Sequence, residues 1–352
     1  MATIAQALRM ALHKGEAELG VTDIFGEDVG PPLGGVFTCT QGLKNTWNAP
    51  LDERGIIGTA MGLALAGQRV VAEIQFVDYI YNTIDLLKLA GNSCWSSMGQ
   101  FPMPMVVMSP VGSGIHGSLY HSHSFDALAT HLPGWKVVLP STPSDVYGLM
   151  ISAIKDPNPV LFLYPKALIR APSKDRLPGE PEDPKLLSKL IDAPLGEARK
   201  GWEPSWPAIE PFEIPIGVAK VLKPGRQVTV ASYGRMAPIC QGVAERLEGE
   251  GISAEVIDLR SLYPYDEAAL IQSVKKTRRF MVVNEDTEVT NFGEHLLRKI
   301  TEACFYDLEA PPRLLAGLNS PGIGLAWPLE EAQVPQERHV EAELRALAAL
   351  SA

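Results

Sequence analysis

The sequence predicts an α/β protein with two domains, each built on a largely parallel sheet. Short runs rich in β-branched and other apolar residues alternate with helical stretches twice along the 352 residues, the pattern of strands covered by helices on both faces. A segment crowded with proline and charge separates the two alternations. We therefore predict an N-terminal domain at residues 1–171, a linker or surface insertion at 172–215, and a smaller C-terminal domain at 216–352.

The N-terminal domain contains four clear strand-like runs. The first, VVAEIQF (70–76), leads into a stretch with helical apolar periodicity, YIYNTIDLLKLAGN. The next, MPMVVMSP (103–110), leads into a glycine-rich loop, and WKVVLP (135–140) precedes a predicted helix, SDVYGLMISAIKD. The last, NPVLFLYP (158–165), closes the domain. Strands that alternate with helices in this way are typical of parallel sheets.

The second alternation follows the proline-rich segment. Its strand-like runs are QVTVASYG, SAEVIDL and RFMVVNE, and its helices are APICQGVAERLEGEG and DEAALIQSVKKT. The tail, VEAELRALAALSA, predicts a terminal helix. Within 172–215 only DPKLLSKLID has a helical pattern. The apolar content of the whole segment is too low for a core of its own. We expect this segment to be a surface excursion.

Composition excludes several classes of protein. The formal net charge of −10 argues against nucleic acid or anionic membrane as a partner and suits a basic protein partner. No apolar run approaches the roughly 20 residues that span a bilayer, and the amphipathic N-terminus lacks the apolar core of a signal peptide. The scattered cysteines, with no CxxC pair, disfavour zinc and iron–sulfur sites. We expect a cytoplasmic protein.

The stretch LDERGI (51–56) places two carboxylates, Asp52 and Glu53, before the apolar, glycine-rich run GIIGTAMGLALAG. Acidic residues are common at helix N-termini because the unpaired N–H groups favour negative charge. The alternative is that one carboxylate lies under apolar cover for chemistry, since burial raises the pKa of an acid and keeps its proton available. From these residues alone, both interpretations stand.

Three of the seven histidines lie in GIHGSLYHSHS, after a predicted strand and a glycine-rich turn. Ligands bind at such positions in α/β proteins. His121 and His123 alternate, so on a strand they would share a face that His116 could join, which is the pattern of a zinc site. No nearby cysteine completes a ligand set, and we favour acid–base chemistry over a metal. His116 and His131 are second choices with an orienting role.

Five stretches occur in one order along the chain: FGEDVG, PLDERGIIGTAMGLALAG, VAEIQFVDYIYNTID, GIHGSLYHSHSFDALATHLPGWKVVLPSTPSD and SAEVIDLRSLYPYDEAAL. Together they resemble the beta subunit of thiamine diphosphate-dependent 2-oxo acid dehydrogenases. AEIQFVDYI and LYHSHS are more similar to the branched-chain enzyme than to the pyruvate enzyme. The resemblance implies a transketolase-like pyrimidine-binding domain followed by a transketolase-like C-terminal domain.

The same resemblance implies partners. The family forms α2β2 heterotetramers in which thiamine diphosphate lies between subunits, and it docks the lipoyl and subunit-binding domains of an acyltransferase. Magnesium and the diphosphate are held there by a GDG…N run, which this sequence lacks. The resemblance therefore implies that a separate alpha subunit holds the magnesium and that this chain supplies half of each active site.

Individual site residues also follow from the resemblance. Glu53 matches the acid that binds N1′ of the cofactor's aminopyrimidine, which leaves Asp52 as the solvated cap. Leu51 and Tyr79 match residues that pack around the pyrimidine, and Gln75 lines the same pocket. His121 matches the histidine that protonates the lipoyl dithiolane. His123 replaces the glutamine usual in HSQS, so the choice of proton donor between these two imidazoles stays open.

The resemblance further implies a potassium site, held mainly by backbone carbonyls. The matching positions are Met105, Val106, Ala153, Asp156 and Asn158. The alternative is a helix C-terminus that ends at a proline turn, and carbonyl ligation leaves little side-chain signal.

The predicted function is thus the oxidative decarboxylation of a 2-oxo acid with acylation of a lipoyl group, and branched-chain substrates are favoured. Pyruvate and acetoin are the alternatives, because their dehydrogenases share this subunit plan. A 2-oxo acid:ferredoxin oxidoreductase subunit would need iron–sulfur clusters, which the cysteines here do not offer. A non-catalytic docking subunit is the alternative of another class.

Overall fold

The structure, a computed structural model, describes residues 1–173 and 175–350. Its helices follow the apolar periodicity of the sequence. Short 3₁₀ turns cover Val77–Thr83, Ser118–Tyr120, Lys166–Leu168 and Gly196–Arg199. The helices are α1 (Ile4–Glu18), α2 (Glu53–Leu65), α3 (Ile84–Ser96), α4 (Asp126–Thr130), α5 (Pro143–Lys155), α6 (Pro184–Ile191), α7 (Met236–Glu248), α8 (Glu267–Thr277), α9 (Phe292–Cys304), α10 (Trp327–Gln333) and α11 (Glu337–Ala348).

The strands form two sheets within the described residues. They are β1 (Val21–Gly26), β2 (Thr46–Asn48), β3 (Arg69–Glu73), β4 (Met105–Val111), β5 (Lys136–Val138), β6 (Val160–Pro165), β7 (Lys220–Lys223), β8 (Val228–Ser232), β9 (Ala254–Asp258), β10 (Ser261–Tyr263), β11 (Phe280–Thr287) and β12 (Arg313–Gly317). One sheet has the order β10-β5-β6-β4-β3-β1-β2, and the other has the order β12-β11-β8-β9-β7.

Pairing within the sheets is parallel except at two edges. β10 is antiparallel to β5, and β7 is antiparallel to β9. The two sheets therefore have the α/β architecture that the sequence predicts, with edge strands that it does not. Because β10 follows β9 in the chain, the second half of the sequence contributes one edge strand to the first sheet.

The core explains why the central strands contain continuous apolar runs. Every residue of β4 and of β6 is buried, as expected for strands covered on both faces. On one face α1 packs against α5. The N-terminus of α1 is fixed by a capping box, in which Thr3 and Gln6 satisfy each other's backbone N–H groups. The N-terminus of α5 combines a Thr142 cap with proline in the first turn.

The segment 172–215 contains the one short helix expected from the sequence, α6. Three buried apolar side chains, Leu177, Leu187 and Ile191, belong to the same core cluster as α1 and α5. The buried Arg9 of α1 donates to Ile191 O and pairs with Asp192 at 3.1 Å. The segment is thus attached to the N-terminal domain by both apolar contacts and a buried cation. In the part of the chain that the structure describes, no helix has the length and apolarity required to span a bilayer.

Candidate active site

The candidate site lies at the carboxyl ends of three neighbouring parallel strands. Glu27 follows β1, Gln75 follows β3, and the loop 112–123 follows β4. These strands are adjacent in the sheet, so the segments after them meet at one edge, where α/β proteins bind ligands. We call residues 112–123 the histidine loop, because it contains His116, His121 and His123.

Glu53 is the first residue of α2. Its carboxylate accepts a hydrogen bond on Oε2 from Asn82 Nδ2 at 3.2 Å, and within residues 1–173 and 175–350 its Oε1 accepts no side-chain hydrogen bond. Glu53 is half-buried in this chain, whereas Asp52 is exposed. Asp52 occupies the N-cap position but makes no side-chain capping bond. The apolar cover expected for Glu53 is therefore only partly supplied by this chain.

The other predicted cofactor residues differ in how far the structure brings them together. Tyr79 lies in the 3₁₀ turn that also contains Asn82, the partner of Glu53. Gln75 donates from Nε2 to Asp28 Oδ2 at 3.2 Å. Leu51 exposes 76% of its surface, so this chain alone does not enclose it.

His121 is held by hydrogen bonds on both ring nitrogens. Its Nδ1 lies 3.2 Å from Gly117 O, and its Nε2 lies 3.0 Å from the Tyr79 hydroxyl. A carbonyl oxygen only accepts, so the network assigns the proton of the neutral ring to Nδ1. Nε2 then accepts from Tyr79 in the neutral ring and donates to it when the ring is protonated. The Phe76 ring packs edge-on with its centre 4.3 Å from the centre of the imidazole, so His121 is fixed in orientation.

His123 and His116 lie beside carboxylates instead. His123 Nδ1 lies 3.1 Å from Asp78 Oδ1, and His116 Nδ1 lies 2.6 Å from Glu330 Oε2. Asp78 also accepts from the backbone N–H of His123 at 3.2 Å. His123 thus anchors its own loop, and His116 joins the loop to α10. Among the described residues, His121 is the one of the three whose ring hydrogen-bonds a residue predicted to bind the cofactor, Tyr79.

Glu27 lies near Glu53, and it is not among the site residues predicted from the sequence. Burial raises its pKa, and the charges of Asp28 and Glu53 raise it further. The pKa of Tyr79 is also raised, first by burial and then by Asp78, Glu27 and Glu53, so its hydroxyl stays protonated and able to donate. The position of Glu27 in FGEDVG, directly after β1, is the signal that could have found it.

The residues of the predicted potassium site are partly brought together. Ala153 O accepts from Asp156 N at 3.3 Å, and Met103 N on the approach to β4 donates to Pro157 O at 2.8 Å. The Asp156 carboxylate is already engaged by Lys136 Nζ and by the backbone and side-chain amides of Asn158. The Asp156 side chain therefore does not fit a cation ligand, and carbonyl oxygens, including those of Met105 and Val106, are the remaining candidates.

Fold and site together define a transketolase-like chain of the thiamine diphosphate-dependent type. Residues 1–172 match the transketolase pyrimidine-binding domain family, and residues 217–340 match the transketolase C-terminal domain family. A solved structure titled "Split gene transketolase, inactive beta4 tetramer" covers 99% of both chains with a TM-score of 0.71. At 18% identity that similarity establishes the common fold and nothing further.

Curated relatives narrow the class. The chain is 37% identical to the 2-oxoisovalerate dehydrogenase subunit beta of Pseudomonas aeruginosa over 326 residues, which are 91% of this chain and 88% of that protein. It is 36% identical to the pyruvate dehydrogenase E1 component subunit beta of Acholeplasma laidlawii, covering 98% and 96% of the two chains. The 2-oxoisovalerate dehydrogenase subunit beta of Bacillus subtilis is 36% identical over 92% of each chain. The chain belongs to the family of thiamine diphosphate-dependent 2-oxo acid dehydrogenase beta subunits.

This assignment confirms the family and the fold class predicted from the sequence, and it implies an alpha-subunit partner. The contacts of the predicted cofactor residues are compatible with a further ligand. Among the described residues Glu53 Oε1 has no side-chain partner, Leu51 is exposed, and the Tyr79 hydroxyl hydrogen-bonds His121.

Proposed function

We propose that this chain supplies the pyrimidine-binding half of the active site in a dehydrogenase of branched-chain 2-oxo acids. The reaction is oxidative decarboxylation, with transfer of the acyl group to a lipoyl group. The observation that carries the proposal is the Tyr79–His121 hydrogen bond, formed in the same segment that contacts Glu53. It joins a residue suited to cofactor binding to a residue suited to proton transfer.

Each side chain has a distinct task in this proposal. Bound thiamine diphosphate supplies the electron sink that decarboxylation of a 2-oxo acid requires. With the cofactor bound, Glu53 would hydrogen-bond the pyrimidine N1′ and share a proton with it, Leu51 and Tyr79 would pack on the ring, and Gln75 would line the pocket. His121 donates its Nε2 proton to the dithiolane sulfur when the acyl group is transferred. Because Asp78 engages His123 at Nδ1, we assign the proton transfer to His121.

The remaining parts of the site come from partners. We propose an α2β2 heterotetramer in which the alpha subunit binds magnesium and the diphosphate, since the sequence lacks the GDG…N run for them. The lipoyl domain of an acyltransferase delivers the acyl acceptor, and its subunit-binding domain docks on the C-terminal domain of this chain. The predicted potassium ion, bound by carbonyl oxygens, would act as a structural brace near residues 153–158.

Pyruvate is the second candidate substrate. The similarity to the pyruvate dehydrogenase E1 component subunit beta of Acholeplasma laidlawii covers nearly the whole of both chains. Acetoin is the third candidate, on the shared subunit plan alone. The docking-only alternative is disfavoured by the contacts of Glu53, Tyr79 and His121, because a scaffold needs no turn that both orients a histidine and contacts a half-buried acid.

The test is reconstitution. The chain is co-expressed with the alpha subunit, and turnover is measured with 3-methyl-2-oxobutanoate, pyruvate and acetoin in the presence of lipoyl domain. We expect the highest kcat/KM with the branched-chain substrate. A preference for pyruvate would overturn the substrate assignment, and a purified heterotetramer that turns over none of the three would overturn the function.

A further inference from the structure

Three carboxylates hold the histidine loop through its backbone. Glu285 of β11 accepts from Ser113 N at 3.1 Å and from Ser113 Oγ at 2.8 Å. Glu330 of α10 accepts from Gly114 N, and from His116 N at 3.2 Å. Asp78 accepts from the backbone N–H groups of residues 122 and 123 at 3.3 and 3.2 Å. The loop is therefore fastened at both ends, and two of the three acids come from the C-terminal half of the chain.

The side chains of these three acids are buried. The side chains of Asp78, Glu330 and Glu285 are 2%, 5% and 9% exposed. A group of buried carboxylates is destabilising unless positive charge lies nearby. Glu285 has Arg235 at 3.3 Å, but the ion pairs of Asp78 and Glu330 are with His123 and His116, which carry charge only when protonated.

Lys166 is a second buried cation, in the segment that packs against the histidine loop. It starts the 3₁₀ turn after β6 and is 1% exposed. Among the described residues its Nζ makes no hydrogen bond. The ammonium lies 5.7 Å from the centre of the Phe76 ring, and that ring packs against His121. Lys166 has no role in the proposed reaction.

Backbone packing brings this lysine close to the loop. The next residue, Ala167, lies so near Gly114 that a Cβ on the glycine would come within 2.6 Å of the alanine Cβ. Gly114 also has a φ of +97°, which L-residues with side chains rarely adopt. The glycine lets the loop lie directly on the segment that contains Lys166.

The electrostatic signs agree with this geometry. Burial lowers the pKa of Lys166 to about 8, against the opposing charges of Asp78, Glu285 and Glu330, which raise it. Burial would raise the pKa of Asp78, but the His123 hydrogen bond and the Lys166 charge bring it below its ordinary value. The three acids that hold the loop are thus also charges that raise the pKa of this ammonium.

We propose that Lys166 is a positioning residue: its buried ammonium offsets the three carboxylates that hold the histidine loop, and so keeps His121 in place for proton transfer. The role for His121 rests on the proposed function. The arrangement of Lys166, the acids and the loop does not, and two arms of the test measure it without turnover.

The first arm is hydrogen–deuterium exchange of peptides covering 112–123 in the assembled heterotetramer. Lys166→Met removes the charge and keeps a long apolar side chain. We expect its loop amides to exchange about tenfold faster or more than those of the wild type, because buried carboxylates without a cation draw in water. Lys276→Met, which removes the partner of Glu255 on other elements, is the matched control and should leave the loop unchanged. Equal loop protection in Lys166→Met and wild type would overturn the proposal.

The second arm is rescue by charge compensation. Asp78→Asn keeps an oxygen in place of Oδ1, which accepts the loop amides, and changes Oδ2, which has no partner within the described residues. We expect Lys166→Met/Asp78→Asn to bring loop exchange back to within about threefold of wild type. If Lys166→Met does not assemble, the double variant should assemble with a protected loop. A double variant that is no better than the single one would contradict the electrostatic role.

The third arm separates the half-reactions. In Lys166→Met we expect kcat for acylation of a lipoyl domain to fall about tenfold or more, with its KM within about twofold. Decarboxylation coupled to an artificial dye acceptor should change by less than about threefold. Equal losses in both assays would overturn the link to His121. If the wild type shows no turnover, the proposed function fails, and the exchange arms still decide whether Lys166 positions the loop.

Discussion

Replacing Glu53 by glutamine tests the central acid of the site. The change preserves the size of the side chain and an oxygen that can accept from Asn82 Nδ2, the one side-chain partner of Glu53 among the described residues. It removes the acidic proton that we propose Glu53 shares with the pyrimidine ring. We expect the fold and the heterotetramer to survive, because Glu53 is half-buried and carries no ion pair within that part of the chain.

Glu53→Gln should lower the reaction rate, whereas Asp52→Asn should change little. Loss of a positioned acid–base group lowers a rate by about 10²–10⁴-fold. The control is Asp52→Asn, one residue earlier. Asp52 is exposed and makes no side-chain capping bond, so its removal should change the free energy of unfolding by less than about 0.5 kcal/mol, below the typical ~1 kcal/mol of a working cap.

The assay is hydrogen–deuterium exchange at C2 of thiamine diphosphate bound to the reconstituted heterotetramer. We expect slow exchange in Glu53→Gln and wild-type exchange in Asp52→Asn, with similar cofactor affinity in both. Equal exchange rates in Glu53→Gln and wild type would remove Glu53 from the mechanism. A larger loss in Asp52→Asn would identify the other carboxylate as the functional one.

Four further predictions follow from named features. Without its alpha partner the purified chain should bind thiamine diphosphate negligibly, and calorimetry that finds tight magnesium-dependent binding would contradict a divided site. Burial raises the pKa of Glu73 to about 8, so the folded state binds the Glu73 proton more tightly than the unfolded state does. The free energy of unfolding should therefore fall as pH rises from about 4.5 to 8, by at most ~1.4 kcal/mol per pH unit. Glu73→Gln should make the apparent Tm less dependent on pH over this range. Arg9→Met should speed proteolysis within 172–215, since it leaves Ile191 O and Asp192 without the buried cation; unchanged cleavage would show that apolar contacts suffice. Affinity for the basic subunit-binding domain should weaken with salt, and a salt-independent Kd from titration calorimetry would exclude electrostatic docking.

The sequence predicts the central strands better than the edges. β4 and β6 are runs in which every residue is buried, and such runs are visible in the sequence because both faces must be apolar. The antiparallel edge strand β10 is three residues long and finds its partner β5 more than 100 positions earlier in the chain. A segment this short has no periodicity of its own, so its pairing depends on tertiary packing that local pattern does not encode.

The same limit applies to the site. Glu53, Gln75 and Tyr79 are predicted by the family resemblance, and the structure places them in one continuous unit, from α2 through β3 to the following turn. The contacts that orient the histidines could not be predicted. Glu285 and Glu330 are 172 and 216 positions from the loop residues that they bind, and in the sequence they are ordinary acids within charged stretches. Only the folded chain distinguishes them from solvated carboxylates.

The acidic tail after Pro335 is part of the folded core. The sequence predicts a helix there, and α11 buries Val340, Leu344 and Leu347 in the core cluster that contains α7. Its acids are also partly neutralised, since Arg246 pairs with both Glu337 and Glu341. Deleting the tail would therefore expose a core and could not test docking. Single charge substitutions on exposed acids leave that core intact, and the salt dependence of docking should be compared between such variants and the wild type.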